Sequence, residues 1–170
     1  TNHGTVCLIT KTELEETNTR YAQGGIAAVT YGPDTQDKHV EDTLIAGDRL
    51  CNEAGVRLVV KEGPAQINEL IQWGTNFDKE SSGKYDLARE GGNSEHRILH
   101  HKDNTGAEIQ RALSNKVKNH PNIDLLENHF AVDLITQHHF GKLVKRSLTD
   151  IECYGAYVLN LSSEKIIKII

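Results

Sequence analysis

A pair of adjacent glycines in the stretch NTRYAQGGIAAV (residues 18–29) is the first feature of this sequence that could serve chemistry. Gly24 and Gly25 follow a Tyr-Ala-Gln run and lead directly into an apolar segment. Two missing side chains let the backbone pass close to a flat or charged group, whereas a tight turn usually needs one glycine beside a polar residue. A strand-to-loop turn explains the pair equally well, so both interpretations stay open.

A second glycine pair, Gly91-Gly92, lies in a segment dense in ionisable groups and directly follows Arg89 and Glu90. A guanidinium matches a carboxylate through two parallel hydrogen bonds, so these residues could orient a carboxylate substrate. Two adjacent charges can also pair with other parts of the fold. The glycines favour the first interpretation, because they again bring the backbone close to a neighbouring group.

Lys11 follows an apolar, β-branched run at residues 5–10 that is typical of a buried parallel strand. The G-x-G-x-x-G motif of a dinucleotide site is absent from the sequence. If residues 5–10 form the second strand of such a fold, Lys11 lies just past its carboxyl end, where an adenosine ribose or its phosphate is usually bound. A solvated lysine that ends a strand is the alternative.

Composition and charge exclude several classes of protein. The 170 residues carry a net charge of -5 without a block of Lys or Arg, which argues against nucleic acid and an anionic membrane surface as partners. No apolar run approaches the roughly 18–20 residues of a transmembrane helix, and the first residues lack the layout of a signal peptide. His96 and His100 have helical spacing but no accompanying zinc motif, so no metal site is predicted.

The three cysteines, Cys7, Cys51 and Cys153, are odd in number, far apart and outside any CxxC motif. This usage predicts buried, reduced thiols in a cytoplasmic protein.

Periodicity and turn residues predict an α/β fold with an added antiparallel meander. Gly63-Pro64 interrupts the second helical pattern and predicts two helices or one kinked helix, with Gly74 as its stop. Helices are expected at 37–50, 54–74 and 105–119, and strands at 5–10, 123–126, 130–136, 154–161 and 165–170.

The ends of the sequence raise a separate expectation. The sequence begins with Thr1 and not with a methionine. It ends on the apolar segment KIIKII, which needs further chain to cover it or pair with it. We therefore expect the 170 residues to be a piece of a longer protein.

Four stretches in unbroken order resemble the L-aspartate oxidases, flavoproteins related to succinate dehydrogenase and fumarate reductase. They are NTRYAQGGIAAV, HVEDTLIAGDRLCNE, LAREGGNSEHRILHHKDNTG, and HPNI followed by FAVDLIT. The resemblance implies that residues 1–170 form a single, partial FAD/NAD(P)-binding (Rossmann-like) domain. The Gly-rich phosphate loop, the capping domain and the C-terminal flavin segment of the family have no counterpart in the sequence.

The resemblance also implies which residues meet the cofactor and the substrate. Glu90 matches a glutamate that helps orient the dicarboxylate substrate. Lys11 is expected at the adenosine end of FAD, and Phe130 and Ala131 at the adenine. The stretch expected to wrap the isoalloxazine and pyrophosphate comprises Asn18, Thr19, Arg20, Tyr21, Ala22, Gln23, Gly24 and Gly25.

The function implied for the full protein is oxidation of L-aspartate to iminoaspartate, the first step of de novo NAD biosynthesis. FAD would be the cofactor, oxygen or fumarate the electron acceptor, and quinolinate synthase a possible partner, in the cytoplasm. The isolated 170 residues are expected to be inactive.

Two alternatives remain. One is the flavoprotein subunit of a fumarate reductase or succinate dehydrogenase, in which a histidine links covalently to FAD. That position is Asn18 here, so FAD is expected to be noncovalent. The other is a binding domain of the same fold without redox activity. The sequence also departs from the L-aspartate oxidase pattern at Asn93, Glu95 and His96, which bears on substrate contacts in that segment.

Overall fold

The computed structural model describes residues 4–48, 50–145 and 147–170. The chain divides into two compact units. The terminal unit comprises Thr1–Glu16 and Val117–Ile170, and the central unit comprises Thr17–Lys116.

The described part of the chain contains three α-helices, eight strands and two short 3₁₀ turns. The turns are Thr19–Tyr21 and Gln137–Phe140. The helices are α1 (Gln36–Ala46), α2 (Glu53–Gln72) and α3 (Thr105–Lys118). The strands are β1 (Val6–Ile9), β2 (Ile26–Ala27), β3 (Leu87–Ala88), β4 (Ile98–Leu99), β5 (Ile123–Leu126), β6 (His129–Thr136), β7 (Cys153–Asn160) and β8 (Lys165–Ile169).

The terminal unit contains a parallel strand at the first predicted position and the predicted meander. The predicted burial of β1 is wrong, because Val6 and Cys7 are exposed and the rest of the strand is only partly buried. Strand β1 pairs in parallel with β5, with Val6 opposite Ile123. Strands β6, β7 and β8 form an antiparallel sheet in that order. The mixed α/β class with an antiparallel meander is therefore confirmed.

The central unit is built on a small antiparallel sheet in the order β2-β4-β3. Its core consists of Ala28, Ile67, Phe77 and Leu99. Strands of two residues show no alternation of apolar and polar positions, which is why the sequence predicts none of these three.

Helix α2 runs unbroken from Glu53 to Gln72, although Pro64 lies within it. Of the two expectations for this segment, two separate helices is therefore wrong and a single helix is confirmed, while its kink stays a prediction. Pro64 removes one backbone donor, but burial of Val60 and Ile67 on either side of it stabilises the continuous helix. Gly74 follows the helix at φ +100°, in agreement with its predicted role as the stop.

The predicted burial of the cysteines is wrong for two of the three. Cys7 and Cys153 are exposed, Cys51 is partly buried, and all three are free thiols. Cys7 lies in the exposed first half of β1 and Cys153 begins β7, so neither reaches a core position. Among the described residues no helix has the length and apolarity to cross a membrane.

Helix α3 contributes a buried carboxylate, Glu108, to the central unit. Its oxygens accept hydrogen bonds from Arg111 at 2.6 and 2.7 Å and from the backbone N–H of Asn76 at 2.7 Å. These bonds lower the pKa of Glu108 from 4.5 to about 2. The bonds from Arg111 contribute most to the decrease, those from Asn76 add to it, and burial of the carboxylate opposes it.

We expect Glu108→Gln to lower the free energy of unfolding of the full-length protein by about 2–3 kcal/mol at pH 7. The lowered pKa of Glu108 contributes stability above pH 4.5 that is lost as the pH falls towards about 2. The difference between wild type and variant should therefore shrink when urea unfolding is repeated at pH 3. Glu69→Gln, at an exposed position on α2, is the matched control. A constant difference at both pH values would contradict this account.

Candidate functional site

The stretch from Thr17 to Ala22 is anchored on the first turns of α3. The Thr17 hydroxyl donates to Gln110 Oε1 at 2.9 Å and accepts the backbone N–H of Arg20 at 3.2 Å. The N–H of Gly106 donates to the carbonyl of Ala22 at 3.0 Å. These bonds fix the 3₁₀ turn and leave the side chains of Asn18, Thr19, Arg20, Tyr21 and Gln23 exposed.

Gly106 is a site-forming residue that the sequence interpretation missed. A Cβ at this position would lie 1.8 Å from the carbonyl oxygen of Thr19, so only glycine allows the turn to dock on α3. The signal in the sequence is a glycine in the first turn of a predicted helix. Glycine weakens a helix, so its presence there indicates that a close contact requires it.

Gly25 and Gly24 have different surroundings. A Cβ on Gly25 would lie 2.3 Å from Ile98 Cγ2 and 2.4 Å from the carbonyl oxygen of Leu99. Gly25 is therefore required for packing β2 against β4, and its contact with a cofactor stays a prediction.

Gly24 is exposed, and the direction in which a Cβ would point meets the side chain of Glu90. Apart from its chain neighbours, the Glu90 carboxylate is the one group of the described residues within 4 Å of the position a Cβ would take, with Oε1 at 3.4 Å. Within the described residues, the backbone N–H groups of Gln23 and Gly24 donate to no acceptor. The structure therefore places the Glu90 carboxylate next to the exposed backbone of Gln23 and Gly24, whose N–H groups are free to donate. These two features are far apart in the sequence.

Glu90 begins a tight, exposed turn that includes the second glycine pair. The N–H of Asn93 donates to the carbonyl of Glu90 at 3.2 Å. Gly92 has a φ of +83°, in the left-handed region that favours glycine. The glycine pair thus shapes the turn, and Arg89, which directly precedes it, is exposed.

A fully buried arginine, Arg97, lies behind this turn. Its Nε and Nη2 donate to the two oxygens of Asp34, each at 2.8 Å. Its Nη1 donates to Asp42 Oδ2 at 2.5 Å and to Asn93 Oδ1 at 3.2 Å. One guanidinium therefore joins the residues before α1, α1 itself and the turn that carries Glu90.

Asp42 of α1 holds the end of the same turn. Its Oδ2 accepts the backbone N–H and the hydroxyl of Ser94, each at 2.8 Å. Burial alone would raise the pKa of Asp42, but the bonds from Ser94 and from Arg97 outweigh it and lower that pKa.

The three departures from the L-aspartate oxidase pattern each have a structural partner in this segment. Asn93 accepts from Arg97, and Glu95 pairs with Lys38 at 2.6 Å. The Nδ1 of His96 lies 3.1 Å from the carbonyl oxygen of Leu87. The altered side chains therefore make contacts that order the turn and its flank.

In the terminal unit, the predicted adenosine-binding residues are exposed and close to one another. Lys11 follows β1, and the backbone N–H of His129 donates to the carbonyl of the preceding Thr10 at 2.9 Å. This bond places the start of β6, with the exposed Phe130 and Ala131, beside the segment that carries Lys11. Their contact with FAD stays a prediction.

Comparison with known proteins gives consistent matches over the chain. The family described as FAD binding domain matches residues 1–170. L-aspartate oxidase 2-a, chloroplastic, from Nicotiana tabacum is 45% identical over 168 residues, which cover 99% of this chain and 25% of the relative. L-aspartate oxidase from Pseudomonas aeruginosa is 43% identical, over 96% of this chain and 31% of the relative.

The fold is also similar to a solved structure. A variant of the E. coli quinol fumarate reductase FrdA matches with a TM-score of 0.84 and 26% identity, over 99% of this chain and 27% of that chain. The chain spans a quarter to a third of the length of the relatives it matches.

Proposed function

This chain belongs to the FAD binding domain family, and from that premise we propose that it is part of the flavin domain of an L-aspartate oxidase. The observation that carries the proposal is the open Gly24 backbone beside the Glu90 carboxylate. Relatives over 40% identical that are named L-aspartate oxidase support it. The enzyme would oxidise L-aspartate to iminoaspartate, with oxygen or fumarate as acceptor.

The residues present fit FAD. The free N–H groups of Gln23 and Gly24 can donate to ring carbonyls or nitrogens, and the missing Cβ of Gly24 leaves its exposed backbone accessible beside the Glu90 carboxylate. The exposed side chains of Asn18 and Thr19 add polar groups on the same stretch. When bound, FAD supplies the two-electron oxidation. Asn18 cannot form the histidyl link of fumarate reductases, so we propose that FAD is noncovalent.

The terminal unit contributes its own part to the proposal. Lys11 offers a cation for the adenosine end of FAD, and Phe130 and Ala131 offer an exposed apolar edge for the adenine. An aromatic side chain with exposed area can lie against a flat base.

Glu90 is proposed to act on the substrate. L-aspartate carries two carboxylates and one ammonium, and a carboxylate gains from the ammonium alone. Glu90 accepts from that ammonium or orients a neighbouring donor. The two substrate carboxylates require cationic donors, and the exposed Arg89 beside Glu90 is one candidate.

The experiment that tests this function uses the purified full-length protein. Acid precipitation should release FAD into the supernatant, and addition of L-aspartate in air should produce iminoaspartate and consume oxygen. Flavin retained in the pellet would contradict the noncovalent assignment. A protein without flavin would favour the non-catalytic binding domain.

A fumarate reductase or succinate dehydrogenase flavoprotein is the second candidate. The TM-score of 0.84 to quinol fumarate reductase favours it. Asn18 and the higher identity to the L-aspartate oxidases oppose it. Oxidation of succinate rather than L-aspartate by the full-length protein would decide for this candidate.

Two finer proposals concern the cell. The first is that the product iminoaspartate would pass to quinolinate synthase. The second is that the reaction would take place in the cytoplasm, although the tobacco relative is named chloroplastic. Co-purification of the full-length protein with quinolinate synthase, and fractionation of the source cells, test these two points.

A further inference from the structure

We propose that Asp42 is a positioning residue that tethers the turn of residues 90–94 to α1 and so holds the Glu90 carboxylate beside Gly24. The proposal rests on the function proposed above for Glu90.

The contacts form one continuous path from α1 to Glu90. Asp42 accepts both the backbone N–H and the hydroxyl of Ser94, at 2.8 Å each. Arg97 bonds Asp42 and also Asn93, whose N–H donates to the carbonyl of Glu90 at 3.2 Å. Asp42 thus holds the turn at its last residue directly and at its middle through Arg97.

The turn needs such a tether because its own residues provide little to hold it. Glu90, Gly91 and Gly92 are all exposed, and the glycines have no side chains to pack. A glycine-rich turn has many accessible conformations, so fixing its backbone costs conformational entropy. Bonds to a charged carboxylate are the stronger class of hydrogen bond and can offset that cost.

Asp42→Asn should loosen the turn without changing its volume. The amide keeps one acceptor but loses the charge, and it cannot accept from both Ser94 and Arg97 as strongly. We expect kcat/KM for L-aspartate in the full-length enzyme to fall about 5- to 20-fold, since misplacing a substrate-contacting group lowers transition-state binding. Fumarate turnover should change less than about twofold, because fumarate has no ammonium for Glu90.

A double-mutant cycle with Glu90→Gln separates positioning from a merely structural role. If Asp42 acts through Glu90, Asp42→Asn should have almost no further effect on L-aspartate kinetics in the Glu90→Gln background. Asp37→Asn, also on α1 and with a side chain 94% exposed, is the matched control and should leave both substrates unaffected.

Hydrogen exchange of the turn gives a readout that does not depend on turnover. In the full-length protein, the peptide covering residues 90–94 should exchange faster in Asp42→Asn than in wild type or Asp37→Asn. Should Asp42→Asn fail to fold, Ser94→Ala removes one bond to Asp42 and leaves the Arg97 ion pairs intact, and the same acceleration is expected.

Three results would each overturn the proposal that Asp42 tethers the turn. They are an unchanged rate of hydrogen exchange in residues 90–94 of Asp42→Asn, additive effects of Asp42→Asn and Glu90→Gln on kcat/KM, and equal losses of kcat/KM with L-aspartate and fumarate. A wild-type enzyme that does not oxidise L-aspartate overturns the proposed function instead, and exchange then still tests whether Asp42 holds the turn.

Discussion

Arg97→Met is expected to lower the free energy of unfolding of the full-length protein by about 3–5 kcal/mol. The Arg97 side chain is fully buried, and its partners Asp34 and Asp42 are 5% and 14% exposed. Removing the guanidinium leaves two carboxylates with little access to water and without their cation, which costs far more than the pair itself contributes. Urea unfolding at pH 7 measures the loss.

Arg57→Met is the matched control for this prediction. Arg57 also pairs with two carboxylates, Glu53 and Asp37, but all three side chains are more than half exposed. Exposed ion pairs contribute little, so this variant should change the free energy of unfolding by less than about 1 kcal/mol. Similar decreases in the free energy of unfolding of Arg97→Met and Arg57→Met would show that the burial of Arg97 does not determine how much the substitution destabilises the protein.

Glu90→Gln is expected to lower kcat/KM for L-aspartate about ten- to hundred-fold in the full-length enzyme. The Glu90 carboxylate lies against Gly24, at the open backbone where we place the flavin. A hydrogen bond to a charged group contributes about 1.5–3 kcal/mol, and the neutral amide forfeits most of it towards the substrate ammonium. Steady-state kinetics with L-aspartate and with fumarate measure the effect.

Fumarate is the internal control, because it has two carboxylates and no ammonium. Its turnover should fall much less than that of L-aspartate in the Glu90→Gln variant. Glu80→Gln, at an exposed position in the loop after Phe77, should affect neither substrate. Equal losses with both substrates would reassign Glu90 to binding the flavin or stabilising the fold.

The long elements of the fold could be predicted because their side-chain periodicity is set by local geometry. Helix α3 and strands β5 to β8 lie within two residues of their predicted bounds. The two-residue strands β2, β3 and β4 could not be predicted, since their pairing depends on residues far apart in the chain. Pro64 does not divide α2 into two helices, because tertiary packing of α2 outweighs the lost backbone bond.

In the candidate site, too, local residue types could be recognised in the sequence, whereas contacts between distant residues could not. The glycine pairs and Glu90 were visible as unusual residue types, but the sequence could not show what approaches each glycine. A Cβ on Gly25 would meet Ile98 and Leu99, whereas a Cβ on Gly24 would approach the carboxylate of Glu90. The buried Arg97 cluster was missed, because its carboxylates lie 55 and 63 residues away in the chain and no local pattern identifies an ion pair over such separations.

The most direct test of the central claim is anaerobic addition of L-aspartate to the purified full-length protein while the flavin absorbance is recorded. We expect the protein to carry FAD and L-aspartate to bleach its absorbance, with succinate as the comparison substrate causing little change. Flavin that L-aspartate leaves oxidised, while succinate or dithionite bleaches it, would contradict the assignment of this chain to an L-aspartate oxidase.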